Sequence, residues 1–197
     1  HIARLKSIVD FGKKLNREIV FVGRSLNKYT SAARNVGQCP FAKDIRIVSY
    51  RRQVEKALKR ANKNRSKYLL VTTGHQGEPF SVLDRMARNH LPFELQSQDH
   101  VIFSSSVIPT EVTMQNREQL DKRLKKRGVR IFNNIHVSGH AGREDLRDFL
   151  NMVNAEHILP AHGDHRQSEA LMELGKELGY KRNKTAHHLE DGQTLQI

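Results

Sequence analysis

The apolar positions at the start of the chain recur every three or four residues, which predicts an amphipathic helix. These positions are Ile2, Leu5, Ile8, Phe11 and Leu15. The apolar residues of 18–22 instead form a continuous run that ends at Gly23. A run of this kind is typical of a strand that is buried on both faces in a parallel sheet.

The same alternation of short apolar runs and helical patterns continues to residue 132. Further strands are predicted at 45–48, 68–72, 99–103 and 129–132. Helices are predicted after Gly23 with Ser25 or Asn27 as the N-cap, at 51–64, from Pro79 to Ala87 and at 112–126. This alternation predicts an α/β fold with an open, mostly parallel sheet that is flanked by helices.

The last third of the chain is predicted to be a smaller layer of strands and helices. Helical spacing marks 144–153 and 171–178, a short apolar strand lies at 158–159, and Asp191-Gly192 predicts the turn of a terminal hairpin. Two histidine-bearing loops, 136–142 and 160–165, follow predicted strands. Since the carboxyl ends of neighbouring strands in an α/β sheet face the same crevice, we expect His140 and His162 to converge.

The chain is strongly basic, with 34 Lys and Arg against 21 Asp and Glu and a formal net charge of +13. This balance favours a polyanionic partner such as nucleic acid, although a generally solvated basic surface is an alternative. Loops at predicted strand ends carry hydrogen-bond donors that suit phosphate, namely Arg24, Ser25, Gln76 and Ser104. Simple solvation is the alternative interpretation of the serine run at 104–106.

Cys39 is the single cysteine of the chain, which excludes an intrachain disulfide and predicts a reducing compartment, the cytoplasm. No apolar run approaches the length of a membrane span, so we expect no membrane partner. The chain opens at His1 without an initiator methionine. We therefore expect it to be a fragment of a longer protein.

Five motifs occur in an order that resembles a known family. They are Gly23-Arg-Ser25, Thr73 to Pro79, Phe103 to Pro109, His136-Val-Ser-Gly-His140-Ala141 and Pro160-Ala-His-Gly163. The last two closely resemble the signatures of β-CASP nucleases, a branch of the metallo-β-lactamase fold that acts on nucleic acids. The first three are similar to the ribonuclease J subgroup, especially its archaeal members. The resemblance covers essentially the whole chain.

The resemblance implies a β-CASP domain at 1–134 and, at 135–197, the carboxyl-terminal segment of a metallo-β-lactamase αββα domain. The catalytic half of such proteins normally begins with a His-x-His-x-Asp-His motif, which supplies most ligands of two zinc ions. That motif is absent from this sequence. We therefore expect the amino-terminal part and most zinc ligands to lie outside this chain, and the chain alone to be inactive.

The resemblance assigns the metal and catalytic roles to two histidines. His162 matches the histidine that completes the metal site in the family, and a histidine at this position is typical of the branch that acts on RNA. His140 matches the histidine beside the scissile phosphate. A histidine there can act as a general acid or as a donor to the developing charge.

A second group of residues is implied to hold RNA. His136, Ser138 and Gly139 match residues that bind the terminal phosphate of the RNA in ribonuclease J. The remaining predicted phosphate or RNA contacts are Arg24, Ser25, Gln76 and Ser104. Recognition of a 5′ phosphate fixes the register of the substrate, which favours degradation inward from that end.

The sequence thus predicts a metal-dependent 5′ to 3′ exoribonuclease that acts on 5′-monophosphorylated RNA in the complete protein. Its expected partners are RNA, a second copy in a homodimer and the missing amino-terminal part. Two alternatives stay open at this point. One is a catalytically silent RNA-binding module, and the other is an RNA 3′-processing endonuclease of the same superfamily.

Overall fold

The computed structural model describes residues 1–133, 135, 139 and 141–196. The chain divides into two compact units, His1–Val137 and Ser138–Ile197. Within the described residues, no helix combines the length and the apolar character needed to cross a membrane.

The first unit alternates strands and helices, as the apolar pattern predicts. Its elements within the described residues are α1 (Ile2–Lys14), β1 (Glu18–Val22), α2 (Arg24–Asn35), β2 (Ile45–Val48), α3 (Arg51–Lys63), β3 (Tyr68–Thr72), α4 (Val82–Ala87), β4 (His100–Ile102), α5 (Glu111–Lys126) and β5 (Arg130–Phe132). A short 3-10 turn, Arg65–Lys67, leads into β3.

A parallel sheet forms the centre of the first unit, with the strand order β2-β1-β3. Val20 of β1 is in register with Arg46 of β2 and with Leu70 of β3. Because successive side chains of a strand point to opposite faces, Ile19 and Phe21 enter one core cluster, whereas Val20 enters another. The predicted central strand with two buried faces is therefore confirmed.

Each face of the sheet is covered by helices. The core on one face takes Val9 from α1 and Ala33 from α2. The core on the other face takes Leu58 from α3, Met86 from α4 and Leu120 from α5. All five of these side chains are buried. The α/β class with a parallel sheet flanked by helices is as predicted.

The expected continuation of this sheet into the last two strands is wrong. Among the described residues, β4 and β5 pair only with each other, in parallel, with Val101 opposite Ile131. Both side chains pack against the core cluster that also contains Val20. A strand of three residues has the same apolar pattern whether it joins the first sheet or a separate one. The sequence therefore does not distinguish one five-stranded sheet from two smaller sheets.

Two helix starts of the first unit also differ from the prediction, and the helix expected at 171–178 in the second unit begins at His165. Gly23 is the N-cap of α2, so Ser25 and Asn27 lie inside the helix instead of capping it. The helix expected from Pro79 begins only at Val82, because the Ser81 hydroxyl caps it by accepting from the Asp84 backbone N–H.

The second unit contains α6 (Arg143–Val153) and α7 (His165–Glu177). Its small core consists of Ile158, Met172 and Ala186. The apolar strand expected at 158–159 reduces to an isolated bridge between Ile158 and Ala186.

The terminal hairpin is not formed as predicted. A turn is present, since the Gln193 backbone N–H donates to the Glu190 carbonyl oxygen at 3.0 Å. However, residues 188–196, all of which the structure describes, contain no strand. The Glu190 backbone N–H donates to the Gln193 side chain, so local bonds take the place of a cross-strand ladder.

Candidate functional site

Arg24 and Ser25 lie directly after the central strand of the first unit, at the start of α2. Both side chains are exposed. The N-cap, Gly23, offers no side-chain hydrogen bond to the first turn of the helix. This edge of the sheet therefore combines a guanidinium and a hydroxyl with backbone N–H groups of the first helical turn, which suits an anion.

The loop after β3, residues 73–79, lies at the same edge because β1 and β3 are parallel neighbours. Its start is fixed to α4, since the Leu83 backbone N–H donates to the Thr73 carbonyl oxygen at 3.0 Å. Gly77 has φ +76°, and a Cβ atom built on it would lie 2.5 Å from the backbone of Asn116 and Arg117. The loop therefore contacts the backbone of α5 without an intervening side chain.

Gln76 joins this loop to the loop after β4. Its amide nitrogen donates to the Ser106 carbonyl oxygen at 3.0 Å, and its amide oxygen accepts from the Ile108 backbone N–H at 3.0 Å. Both ends of the amide are thus used in bonds between the loop after β3 and the loop after β4. Ser104 lies at the start of the second loop and is half-buried.

Arg117 is a residue that sequence reasoning missed. It is only 5% exposed, and its guanidinium donates to Asp121, to the His75 carbonyl oxygen and to the Asn133 side chain. It also lies over the Phe103 ring. One guanidinium thus connects α5, both loops at strand ends and the end of β5. The sequence feature that could have indicated its burial is its helical spacing from Leu120 and Leu124, which lie on the buried face of α5.

The third helix presents a basic surface, defined here by its six exposed cations. They are Arg51, Arg52, Lys56, Lys59, Arg60 and Lys63. The opposite face of α3 buries Val54, Leu58 and Ala61. Glu55 pairs with Arg51 at 3.0 Å, so most of the positive charge of this surface has no acid on the same helix to offset it.

In the second unit, His162 lies in an exposed loop that leads into α7. The end of this loop is held by a capping box, in which the Asp164 carboxylate accepts from the Gln167 backbone N–H at 2.9 Å. In return, the Gln167 side chain accepts from the Asp164 backbone N–H at 3.0 Å. His162 is therefore placed two residues before a fixed helix start.

Three predicted site residues, His136, Ser138 and His140, lie outside the described residues. Gly139 is described and is exposed. The convergence of His140 with His162 and the phosphate site at 136–139 therefore stay predictions.

The first two turns of α6, which begins shortly after Ala141, are tied to the end of α7. Arg143 and Arg147 donate to the two carboxylate oxygens of Glu177 at 2.5 and 2.7 Å. Hydrogen bonds from Arg147 and then Arg143 hold the pKa of the Glu177 carboxyl below its ordinary value. At the start of α6, the Asp145 carboxylate accepts from the Gly142 backbone N–H at 2.8 Å.

Two family models match the chain in succession. The model described as the β-CASP domain of ribonuclease J matches residues 1–121. The model described as the RNA specificity domain of Zn-dependent metallo-hydrolases matches residues 124–187. Together they span most of both units.

Proteins named ribonuclease J are similar to the chain over its whole length. The one from Methanocaldococcus jannaschii is 43% identical over 196 residues, which are 99% of this chain and 44% of that protein. The one from Pyrococcus abyssi is 40% identical over 197 residues, 100% of this chain and 43% of that protein. The one from Helicobacter pylori is 30% identical over 200 residues, which are 100% of this chain and 28% of that protein. The chain thus spans less than half the length of these relatives.

Proposed function

Because the chain belongs to the ribonuclease J family of β-CASP proteins, we propose that it is the RNA-handling part of a metal-dependent ribonuclease. In the complete protein, this enzyme degrades RNA in the 5′ to 3′ direction from a 5′ monophosphate. The observation that carries the proposal is the ordered match of a β-CASP model and an RNA specificity model across 1–121 and 124–187.

The charge and the loops of the first unit support RNA as the substrate. The exposed cations of α3 and the net charge of +13 suit a polyanionic backbone. At the edge of the sheet, Arg24 and Ser25 offer donors to phosphate. Gln76 has a second function in this proposal, since its bonds to 106 and 108 hold two loops together at the site where the RNA backbone passes. Ser104 is the neighbouring hydroxyl donor.

In the second unit, we assign His162 as a metal ligand and His140 as the catalytic histidine beside the scissile phosphate. An exposed imidazole in a loop held by the Asp164 capping box is a nitrogen donor of the kind zinc accepts. Two zinc ions, when bound, activate a water and stabilise the leaving oxygen. His136, Ser138 and Gly139 bind the 5′ phosphate and so set the end from which cleavage proceeds.

Cellular location and assembly follow from the same proposal. We place the complete protein in the cytoplasm, where Cys39 stays reduced, and we expect a homodimer. The further ligands of the zinc ions belong to the amino-terminal part that precedes this chain in such proteins.

The test uses the complete protein, with this chain joined to the amino-terminal part of its parent, loaded with zinc. RNA labelled at its 3′ end is supplied with either a 5′ monophosphate or a 5′ hydroxyl. We expect progressive shortening of the monophosphorylated RNA, and we expect His140→Ala to slow cleavage by at least about a hundredfold while RNA affinity is retained. His162→Ala is expected to lower the bound zinc, and His90→Ala, at an exposed position of the first unit, serves as the control.

The alternatives give different results in the same assay. Internal fragments without progressive shortening would identify the 3′-processing type of endonuclease. RNA that is bound but left intact by the zinc-loaded protein would identify a binding module and overturn the proposal.

A further inference from the structure

The second unit contains a cluster of potential metal ligands that is distinct from His162. His165, Glu169 and His188 each offer one ligand atom, and these atoms all lie within 4.8 Å of one another. The His188 Nδ1 atom is 3.6 Å from the Glu169 Oε1 atom. The rings of His165 and His188 meet edge to face, with 5.1 Å between their centroids.

Two of the three ligands are positioned by α7. His165 is its first residue and Glu169 follows four residues later, so both side chains lie on the same face of the helix. The Asp164 capping box fixes the start of this helix just before His165. The spacing i, i+4 on one helical face is the arrangement by which helices present pairs of metal ligands.

The third ligand is positioned by the small core of the second unit. Ala186 is 1% exposed and forms the bridge with Ile158. The next residue, His187, donates its backbone N–H to the Ile158 carbonyl oxygen at 3.0 Å. Its ring nitrogen Nε2 lies 2.8 Å from Nδ1 of His157. The Ile158 backbone N–H donates to the Thr185 carbonyl oxygen at 2.9 Å, so His188 extends from a backbone that is anchored on both sides of the bridge.

We propose that His165, Glu169 and His188 form a binding site for a divalent transition metal ion such as Zn²⁺. Two imidazole nitrogens and one carboxylate oxygen are the ligand types that Zn²⁺ takes in proteins, and a water completes a tetrahedral set. The ligand atoms need only a small inward movement of exposed or half-buried side chains to reach bonding distance. This site goes beyond the ribonuclease function proposed above and does not depend on it.

Arg182 sets the affinity of this site. It donates to both carboxylate oxygens of Glu169, at 2.7 and 2.9 Å. A bound ion must displace Arg182 from the Oε1 atom of Glu169, which faces His188. Because Arg182 competes for Glu169, its removal is expected to tighten metal binding.

The ion would link the first turns of α7 to the segment that follows the bridge. Apart from the contacts of His188 with His165 and Glu169, the hydrogen bonds described in this segment are local turn bonds, as for Glu190 and Gln193. A ligand that binds only the folded state stabilises it by mass action. In this proposal, the metal ion therefore has a structural role and stabilises the folded second unit.

The test measures binding of Zn²⁺ and of Co²⁺ to the full 197-residue chain after removal of metal with a chelator. All variants carry His162→Ala, so that the proposed ligand of the ribonuclease site does not contribute. In this background we expect one equivalent of Zn²⁺ to bind and to raise the melting temperature. His165→Ala and His188→Ala should each weaken binding at least tenfold and change the visible spectrum of bound Co²⁺. Glu169→Gln should weaken it similarly, and Arg182→Gln should strengthen it.

The controls separate this site from other histidines and from loss of folding. His90→Ala removes an exposed histidine of the first unit and should leave the affinity unchanged. Circular dichroism checks that each variant is folded, and His165, which is exposed, tolerates substitution without a loss of core packing. Absence of Zn²⁺ binding in the His162→Ala background, or binding that neither His165→Ala nor His188→Ala weakens, would overturn the proposal. Neither result bears on RNA cleavage by the complete protein.

Discussion

The guanidinium carbon of Arg117 lies 3.4 Å from the centroid of the Phe103 ring. Both side chains are buried, and the arginine also bonds Asp121 at 2.9 Å and the His75 carbonyl oxygen at 3.1 Å. A buried charge is tolerated only when such partners compensate its lost hydration. The contact therefore joins the end of β4 to the loop after β3 through one cation.

Replacing Arg117 is expected to destabilise the first unit. Arg117→Lys retains the charge but loses the planar fork that serves several acceptors at once. We expect Arg117→Ala to lower the free energy of unfolding by about 3 kcal/mol and Arg117→Lys by about 1–2 kcal/mol. Urea unfolding followed by circular dichroism measures both values.

The matched control for Arg117 lies on the same helix. Lys122 pairs with Glu118 at 2.8 Å, but both side chains are largely exposed. Because exposed ion pairs contribute little, Lys122→Ala should cost less than about 0.5 kcal/mol. Equal losses for the Arg117 and Lys122 variants would show that burial of Arg117 has no energetic consequence.

A substitution at Gly77 tests the contact between its loop and α5. Gly77→Ala places a methyl group within 2.5 Å of backbone atoms of Asn116 and Arg117, and φ is +76°. Gly37 has a similar φ of +71°, but a Cβ atom there meets nothing within 4 Å. Gly37→Ala should therefore report the backbone strain alone, about 1 kcal/mol, whereas Gly77→Ala should cost about 1–3 kcal/mol more.

The comparison of the two glycine variants is made by thermal unfolding of the full chain. Because the strain from positive φ is shared, the difference between the variants isolates the overlap with α5. If the two melting temperatures fall equally, the close approach of the loop to the helix is not a constraint on the fold.

Much of the first sheet could be predicted from the sequence because β1 is buried on both faces. Ile19 and Val20 enter separate cores, so the buried residues 19–22 of the strand are all apolar and form a continuous run. The pairing of β4 with β5 could not be predicted in the same way. Three-residue strands with one inward side chain each, Val101 and Ile131, carry no information about which sheet they join.

In the candidate site, too, features set by local sequence could be predicted, whereas long-range contacts could not. Arg24 could be placed after a strand because local pattern defines that strand. The bonds of Gln76 to 106 and 108 depend on residues about thirty positions away, which periodicity does not report. The i, i+4 spacing of His165 and Glu169 is visible in the sequence, whereas the approach of His188 depends on the bridge between Ile158 and Ala186.

Asp84 is a buried carboxylate whose loss should destabilise the first unit. It is 1% exposed and accepts from Arg88 at 2.9 Å, from Arg123 at 3.0 Å and from the Phe80 backbone N–H at 3.0 Å. Arg88 and Arg123 are partly exposed and can be hydrated, so the main loss in Asp84→Ala is that of the hydrogen bonds to the buried carboxylate, and we expect a cost of about 3 kcal/mol. Urea unfolding measures this loss.

Asp84→Asn distinguishes charge from shape at the same position. The amide keeps an acceptor for the Phe80 N–H but loses the ionic bonds to the two arginines, and we expect a smaller loss, about 2 kcal/mol. Asp10→Asn is the control, because the Asp10 pair with Lys6 is half-exposed on α1. A loss for Asp84→Asn no larger than that for Asp10→Asn would contradict a stabilising role for the buried charge.

The pair of arginines on α6 should give Glu177 a measurable pH dependence. Hydrogen bonds from Arg147 and Arg143 lower the pKa of this carboxyl in the folded protein. The stabilisation from these bonds is therefore fully present above the unfolded pKa of about 4.3 and is lost as the pH falls through the lower folded pKa.

An NMR titration of the Glu177 side-chain carboxyl should show a midpoint below that of unstructured glutamate. The midpoint should rise in Arg147→Gln and, by screening, in high salt. Glu173 lies four residues before Glu177 on the same helix, so Glu173→Gln removes a like charge and should shift the Glu177 midpoint in the opposite direction, slightly downward. A midpoint that is unaffected by Arg147→Gln would mean that the bond between α6 and α7 does not form in solution.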